Sequence, residues 1–125
     1  MGHESLYSAT GVDFQTAVGY QALRNSTTGI QNLALGYQAG SGITTGSNNI
    51  AIGYNAQVPS GTSSNQLNIG NWIYGVGGNI GIGTSSPTAK LEVVGSAIIG
   101  GDLNVQGKVI TDTLVNRTVT NISIS

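Results

Sequence analysis

The chain contains no cysteine. Disulfides, thiolate metal sites and thiol nucleophiles are therefore excluded, and the redox compartment stays open. Charge is scarce: Lys and Arg number 4 and Asp and Glu 5 among 125 residues, where about a quarter is usual. The net charge is −1 and no basic cluster exists. Nucleic-acid affinity rests on cations that neutralise phosphates, so a nucleic-acid partner is not expected. The single histidine, His3, leaves no histidine cage within one chain. No run approaches the roughly 18 apolar residues of a membrane-spanning helix, so membrane insertion is not expected. The start, Met1-Gly2-His3-Glu4, lacks the basic and apolar regions of a signal peptide.

Glycine is plentiful instead, at 20 residues, and Ser, Thr, Asn and Gln together make 45. With 38% hydrophobic residues and almost no net charge, the composition is not that of a disordered chain. The polar residues also keep a register. Thr16-Ala17-Val18-Gly19-Tyr20-Gln21-Ala22, Leu33-Ala34-Leu35-Gly36-Tyr37-Gln38-Ala39 and Ile50-Ala51-Ile52-Gly53-Tyr54-Asn55-Ala56 are three copies of one unit, spaced by 17 residues. A fourth step reaches Leu67-Asn68-Ile69-Gly70. Gln15, Asn32, Asn49 and Gln66 precede the units at one offset, and Thr28, Thr45 and Thr62 keep the period.

A short fixed period means a stacked array in which no unit buries its apolar face alone. Seventeen residues cannot hold two helices. Branched residues at i and i+2, as in Ile50-Ala51-Ile52, have strand period. Stretches such as Asn25-Ser26-Thr27-Thr28-Gly29 are turn chemistry. The expectation is an all-β chain, with each unit one or two short strands plus polar turns, stacked into a β-roll or β-solenoid. A different pattern takes over near residue 75. Asn79-Ile80-Gly81-Ile82-Gly83, Lys90-Leu91-Glu92-Val93-Val94-Gly95 and Asp102-Leu103-Asn104-Val105-Gln106-Gly107 read as alternating strands closed by glycine turns, and Val115 to Ser125 alternates again. The expected organisation is an N-terminal segment 1–14, a repeat β-roll 15–75 and a shaft-like segment 76–125. No charge falls between Asn25 and Ala89. Aromatics are few, the apolar stock is Ala, Val, Ile and Leu, and so thin a core is expected to be shared between chains.

The unit Asn49-Ile50-Ala51-Ile52-Gly53-Tyr54-Asn55-Ala56 resembles the head repeat of trimeric autotransporter adhesins, which carries Asn-x-x-Ala-x-Gly. It is more similar still to collar and shaft regions of bacteriophage tail fibres. Gly78 to Val93 and Gly101 to Val109 resemble stretches found in such fibres upstream of endosialidase-type intramolecular chaperone domains. The resemblance covers about residues 15–110. It implies a homotrimer of parallel chains, with stacked β-roll coils followed by an interwoven β-prism. On that reading Ala17, Ala34 and Ala51 allow close approach while Val18, Leu35 and Ile52 fill each coil; which face meets the axis stays open. The period is longer than that of the adhesin unit, which implies a wider turn. No chaperone domain follows Ser125, as expected of a cleaved product, a fragment or a variant that trimerises unaided.

The structural repeat residues are Ala17, Val18, Gly19, Tyr20, Ala34, Leu35, Gly36, Tyr37, Ala51, Ile52, Gly53, Tyr54, Ile69 and Gly70. The tyrosines are expected to form a ladder that covers the coil edge, with a sugar-binding or partner-binding stripe as the alternative. Trp72 and Tyr74, where the repeat changes, are contact or cap candidates. His3 reads as a solvated terminus; three copies round an axis would make a metal site thinkable. Asp13, Asp102 and Asp112 stand apart, so no carboxylate pair points to glycosidase chemistry. Serines have only His3 as a base. Gly75-Val76-Gly77-Gly78 lacks the Lys-Ser/Thr ending of a phosphate loop. The sequons at Asn25, Asn116 and Asn121 are expected by chance in so Ser/Thr-rich a chain. No catalytic residue, metal or cofactor is expected. The chain reads as a structural, non-enzymatic fibre protein of a virion, its partners itself, other appendage proteins and a host-surface glycan or protein receptor. The rival readings are a self-assembling extracellular filament subunit, a trimeric cell-surface adhesin head and a capsid-decorating trimer.

Overall fold

A computed structural model describes residues 2–11 and 14–113. Among them there is no helix. Seven strands form one sheet in chain order: β1 (Thr16–Val18), β2 (Leu33–Leu35), β3 (Ile50–Ile52), β4 (Leu67–Ile69), β5 (Ile73–Val76), β6 (Asn79–Ile82) and β7 (Leu91–Val93). β1 to β4 pair in parallel with the repeat as register: Ala17 faces Ala34, Ala34 faces Ala51 and Ala51 faces Asn68. This part is a β-solenoid of roughly three turns. The turn β4–β5 and the hairpin β5–β6 then pair antiparallel, and β6–β7 is parallel again. The pairing changes between Ile69 and Ile73, and the sheet runs through the change unbroken.

Each coil is closed by local chemistry. The chain turns in left-handed backbone at three columns, each repeating at one period: Glu4, Gln21, Gln38 and Asn55, with φ of 54, 54, 52 and 49°; Leu6, Leu23 and Gly40, with φ of 55, 52 and 61°; and Phe14, Gln31, Asn48 and Asn65, with φ of 59, 59, 55 and 60°. Such backbone is costly for side chains with a Cβ, least so for Asn. The glycine of each unit meets a harder constraint. Gly19 and Gly36 have φ of 130 and 131°, and a Cβ there would lie 2.3 and 2.5 Å from the carbonyl oxygens of Gly36 and Gly53. Only glycine lets one coil stack on the next at this corner.

The coil interior corrects one expectation. Ala17, Ala34 and Ala51 point inward and are buried, whereas Val18 and Leu35 are 43% and 46% exposed and Ile52 is half-buried on the outer face. Alternation along a strand puts i+1 and i+2 on opposite faces, so only one can enter the coil. A thin coil has no room for branched side chains from the strand. Its filling comes from the far wall, where Leu23 and Ile43 are wholly buried beside Ala22, Ala39 and Val58.

Polar side chains complete the interior. Asn32 Oδ1 accepts from the Asn49 backbone N–H at 2.9 Å, and Asn49 Oδ1 from that of Gln66 at 2.9 Å. Their side-chain amides donate to the carbonyls of Gly46 and Ser63 at 2.8 and 3.0 Å. The column that sequence shows as one polar offset is thus a buried amide ladder that satisfies turn carbonyls in every coil.

Two further differences arise. Residues 2–11 were expected to stand apart from the repeat, yet they continue it as a partial coil. Leu6 and Ser8 donate backbone N–H groups to the carbonyls of Ala22 and Arg24, and His3 accepts from Gln21. The alternating strand expected at Asp102–Val109 is absent; this stretch is exposed and outside the ladder. The outer edge of β7 is left unpaired by it. The alternation expected from Val115 to Ser125 lies outside the described residues.

Candidate functional site

The outer face of β1 to β4 carries two columns one period apart. Thr16, Leu33, Ile50 and Leu67 form one, and Val18, Leu35, Ile52 and Ile69 the other. Ile50 and Ile69 are 38% and 36% exposed. The columns continue onto Ile80 and Ile82 of β6, which pair with Leu91 and Val93 of β7. Seven of the eight solenoid positions are aliphatic, and no charge interrupts them. The result is one contiguous apolar face open to solvent. Beyond β7 the exposure rises: Leu103 is 69% exposed, and Ile98 and Ile110 are each 94% exposed.

Where β3 and β4 begin, this face deepens into a groove of about 320 Å³. Ile50, Leu67, Val76 and Ile80 form its apolar walls, with Asn48, Asn65 and Asn79 at the rim. Asn48 Nδ2 donates to Asn65 Oδ1 at 2.6 Å, and Asn79 Nδ2 to the Pro87 carbonyl at 3.3 Å.

The opposite ends of the strands lead into the tyrosines. Tyr20 and Tyr37 stack with centroids 5.2 Å apart and planes 12° apart; Tyr37 and Tyr54 stack at 5.2 Å and 10°. His3 extends the ladder, its ring 5.7 Å from Tyr20 and inclined by 14°. Beside it Gln21 Nε2 donates to Glu4 Oε2 at 2.7 Å and Gln38 Nε2 to Gln21 Oε1 at 2.8 Å. Stacking places the faces of Tyr20 and Tyr37 against neighbours and leaves their edges outward. A pyranose packs on an aromatic face, so the ladder flank offers it little. Tyr54, on which no described ring stacks beyond Tyr37, is 75% exposed.

Trp72 lies in the turn between β4 and β5 and is 73% exposed. Its ring passes 3.7 Å from where a Gly70 Cβ would sit, and its carbonyl accepts from the Gly83 N–H at 2.9 Å. Tyr74 is half-buried on β5, with its hydroxyl 3.2 Å from the Asn71 carbonyl. Among the described residues no three His, Asp or Glu side chains gather where a metal could bind. Asp102 and Asp112 lie on the exposed stretch, and Asp13, Asn116 and Asn121 lie outside the described residues. Asn25 Nδ2 donates to the Ser41 carbonyl at 2.8 Å.

Glu92 accepts from the Thr88 backbone N–H and hydroxyl at 2.7 and 2.9 Å. These bonds favour the carboxylate and hold its pKa below the ordinary value, the backbone bond contributing most.

The groove and the His3 step of the ladder were missed in the sequence. The second was within reach. Counting one period back from Gly19, Tyr20, Gln21 and Leu23 gives Gly2, His3, Glu4 and Leu6. The groove depends on how β5 and β6 fold back, which no period encodes.

No protein-family model, no curated protein and no solved structure matches this chain.

Proposed function

We propose that this chain is a structural fibre segment: a homotrimer of parallel chains forming a rigid rod on a virion appendage of the tail-fibre kind, which presents a contact surface to the host. The observation that carries this is the uncharged apolar face left open along β1 to β4 and continued by the exposed aliphatics up to Ile110. A single chain cannot cover them. Three chains packed face to face would bury the solenoid columns, and three copies of residues 94–113 would supply one another with the strand edges each lacks, as an interwoven prism. Backbone ladders and a shared core make such a rod stiff, and three-fold presentation raises avidity for a host-surface glycan or protein. The motif resemblance directs the reading to a virion rather than to a cell-surface adhesin head.

Light-scattering mass of the unheated chain, with negative-stain images of the same peak, tests it. A mass of three chains and short rods support the reading; a folded monomer overturns it. A second reading, a self-assembling extracellular filament subunit, is favoured by one feature. β1 is an edge strand beside an incomplete coil, an edge that another chain could extend. Long filaments of uniform width in the same images would establish it.

A further inference from the structure

We propose that the indole of Trp72 from one copy enters the Asn48–Ile80 groove of the next copy, locking the rotational register of the trimer. The inference rests on the trimeric reading above and names the contact that closes it.

The topology places the two features at the same height on opposite flanks. Strands run across the rod, so position along a strand is position around it. The groove lies where β4 begins, with Gly75 opposite Leu67 and Ile80 opposite Gly75. Trp72 follows the other end of β4, next to the Ile69–Ile73 pair. When parallel copies turn one face toward a three-fold axis, the contact is heterologous: the strand ends of one copy meet the strand starts of the next. Trp72 then meets the groove at its own level, and three such contacts close the ring.

The groove suits this occupant. Its lining residues carry no charge, and the Lys90 ammonium at its edge donates to the Gly78 carbonyl at 3.0 Å. A cationic partner would be repelled by that ammonium and stripped of water without a counter-charge, whereas a neutral indole incurs neither cost and its face can lie against the ammonium. An indole is flat and apolar with one N–H to satisfy. At the rim, Asn48 Oδ1 and Asn79 Oδ1 accept no hydrogen bond from any described residue, and either can take it. Trp72 is also 73% exposed beside this face. Its area, with the exposed parts of Val18, Leu35, Ile50, Ile69 and Ile80, is on the order of the several hundred Å² that each partner gives to a specific interface.

Trp72 is the only tryptophan, so its emission reports on this contact alone. The experiment measures emission maximum and acrylamide quenching on the light-scattering peak, for wild type, Val76→Lys and Trp72→Ala. The expected result is a trimer with blue-shifted emission and several-fold weaker quenching than a tryptophan amide standard. Val76→Lys should restore quenching, and Trp72→Ala should weaken assembly at least about tenfold. Ile80→Lys replaces Val76→Lys if circular dichroism shows the latter misfolded. A trimer whose tryptophan is fully quenchable overturns the lock and leaves the trimer standing. Shielded emission indifferent to the groove variants also overturns it. A monomer removes the trimeric reading and the lock with it.

Discussion

Gly36 sits in the middle of five stacked corner glycines, from Gly2 to Gly70, and two independent constraints converge on it. Its φ is 131°, and a Cβ would lie 2.5 Å from the Gly53 carbonyl oxygen. Gly36→Ala should therefore destabilise the chain by about 3 kcal/mol or more. Gly100→Ala, where a Cβ meets nothing within 4 Å, should be close to neutral. Denaturant midpoints of the two variants compare them directly. A second residue-scale test concerns Gln15, whose Oε1 is buried with no partner among the described residues. Asn32 and Asn49 hold their oxygens one methylene nearer the backbone and meet the N–H of the next coil. Gln15→Asn should extend the ladder to Asn32 and raise the thermal midpoint, by an amount matching about 1 kcal/mol. An unchanged or lower midpoint would show that the first coil differs from its neighbours.

At the scale of elements, the amide ladder holds the coils and the Thr88–Glu92 bonds hold the loop before β7. Asn49 joins two coils through three polar groups: its own amide, the Gln66 N–H and the Ser63 carbonyl. Asn49→Ala leaves the buried Gln66 N–H without its acceptor, while the Ser63 carbonyl keeps the Gln66 Nε2 donor at 2.8 Å, and the loss should be about 1–3 kcal/mol. The corresponding loss at Asn48, an exposed rim residue, should be a few tenths of that. Glu92 makes the loop pH-sensitive. Its folded pKa lies below the ordinary value, so its contribution is present above that ordinary value and fades as pH falls through the lowered one. The protection of the Thr88 amide, its exchange rate relative to the intrinsic rate at the same pH, should fall in acid for wild type. Glu92→Gln should show weak protection at every pH.

For the whole molecule, the prediction concerns cooperativity. If the outer columns and the exposed residues beyond β7 are covered by other copies, unfolding and dissociation are one event, and the thermal midpoint rises with protein concentration. Leu35→Asn alters an outward side chain, so it should leave circular dichroism at high protein concentration unchanged while shifting the dissociation midpoint. Ala34→Leu alters an inward one; it overfills the coil and should cost the fold itself at any concentration, by about 1–3 kcal/mol. A midpoint independent of concentration would speak for self-sufficient single chains.

Much of this architecture was legible before any coordinates. The period of 17 is the parallel register from Ala17 to Asn68, because residues that stack in successive coils meet the same constraint and so recur in kind. The strand at Ile50–Ile52 and the stacked tyrosines follow from the same repetition, and that at Leu91–Val93 from the separate alternation of Lys90 to Gly95. Period alone is silent about direction. It could not say that Ala34 points in and Leu35 out, because that depends on how far the opposite wall stands from the strand, and Leu23 and Ile43 occupy that space. Nor could it place Trp72 and the groove at opposite ends of one face, since the turn back through β5 and β6 falls outside the repeat. Local chemistry repeats with the chain and can be read along it. Which face is filled, and which is left open for another molecule, is settled only where distant segments compete for the same volume.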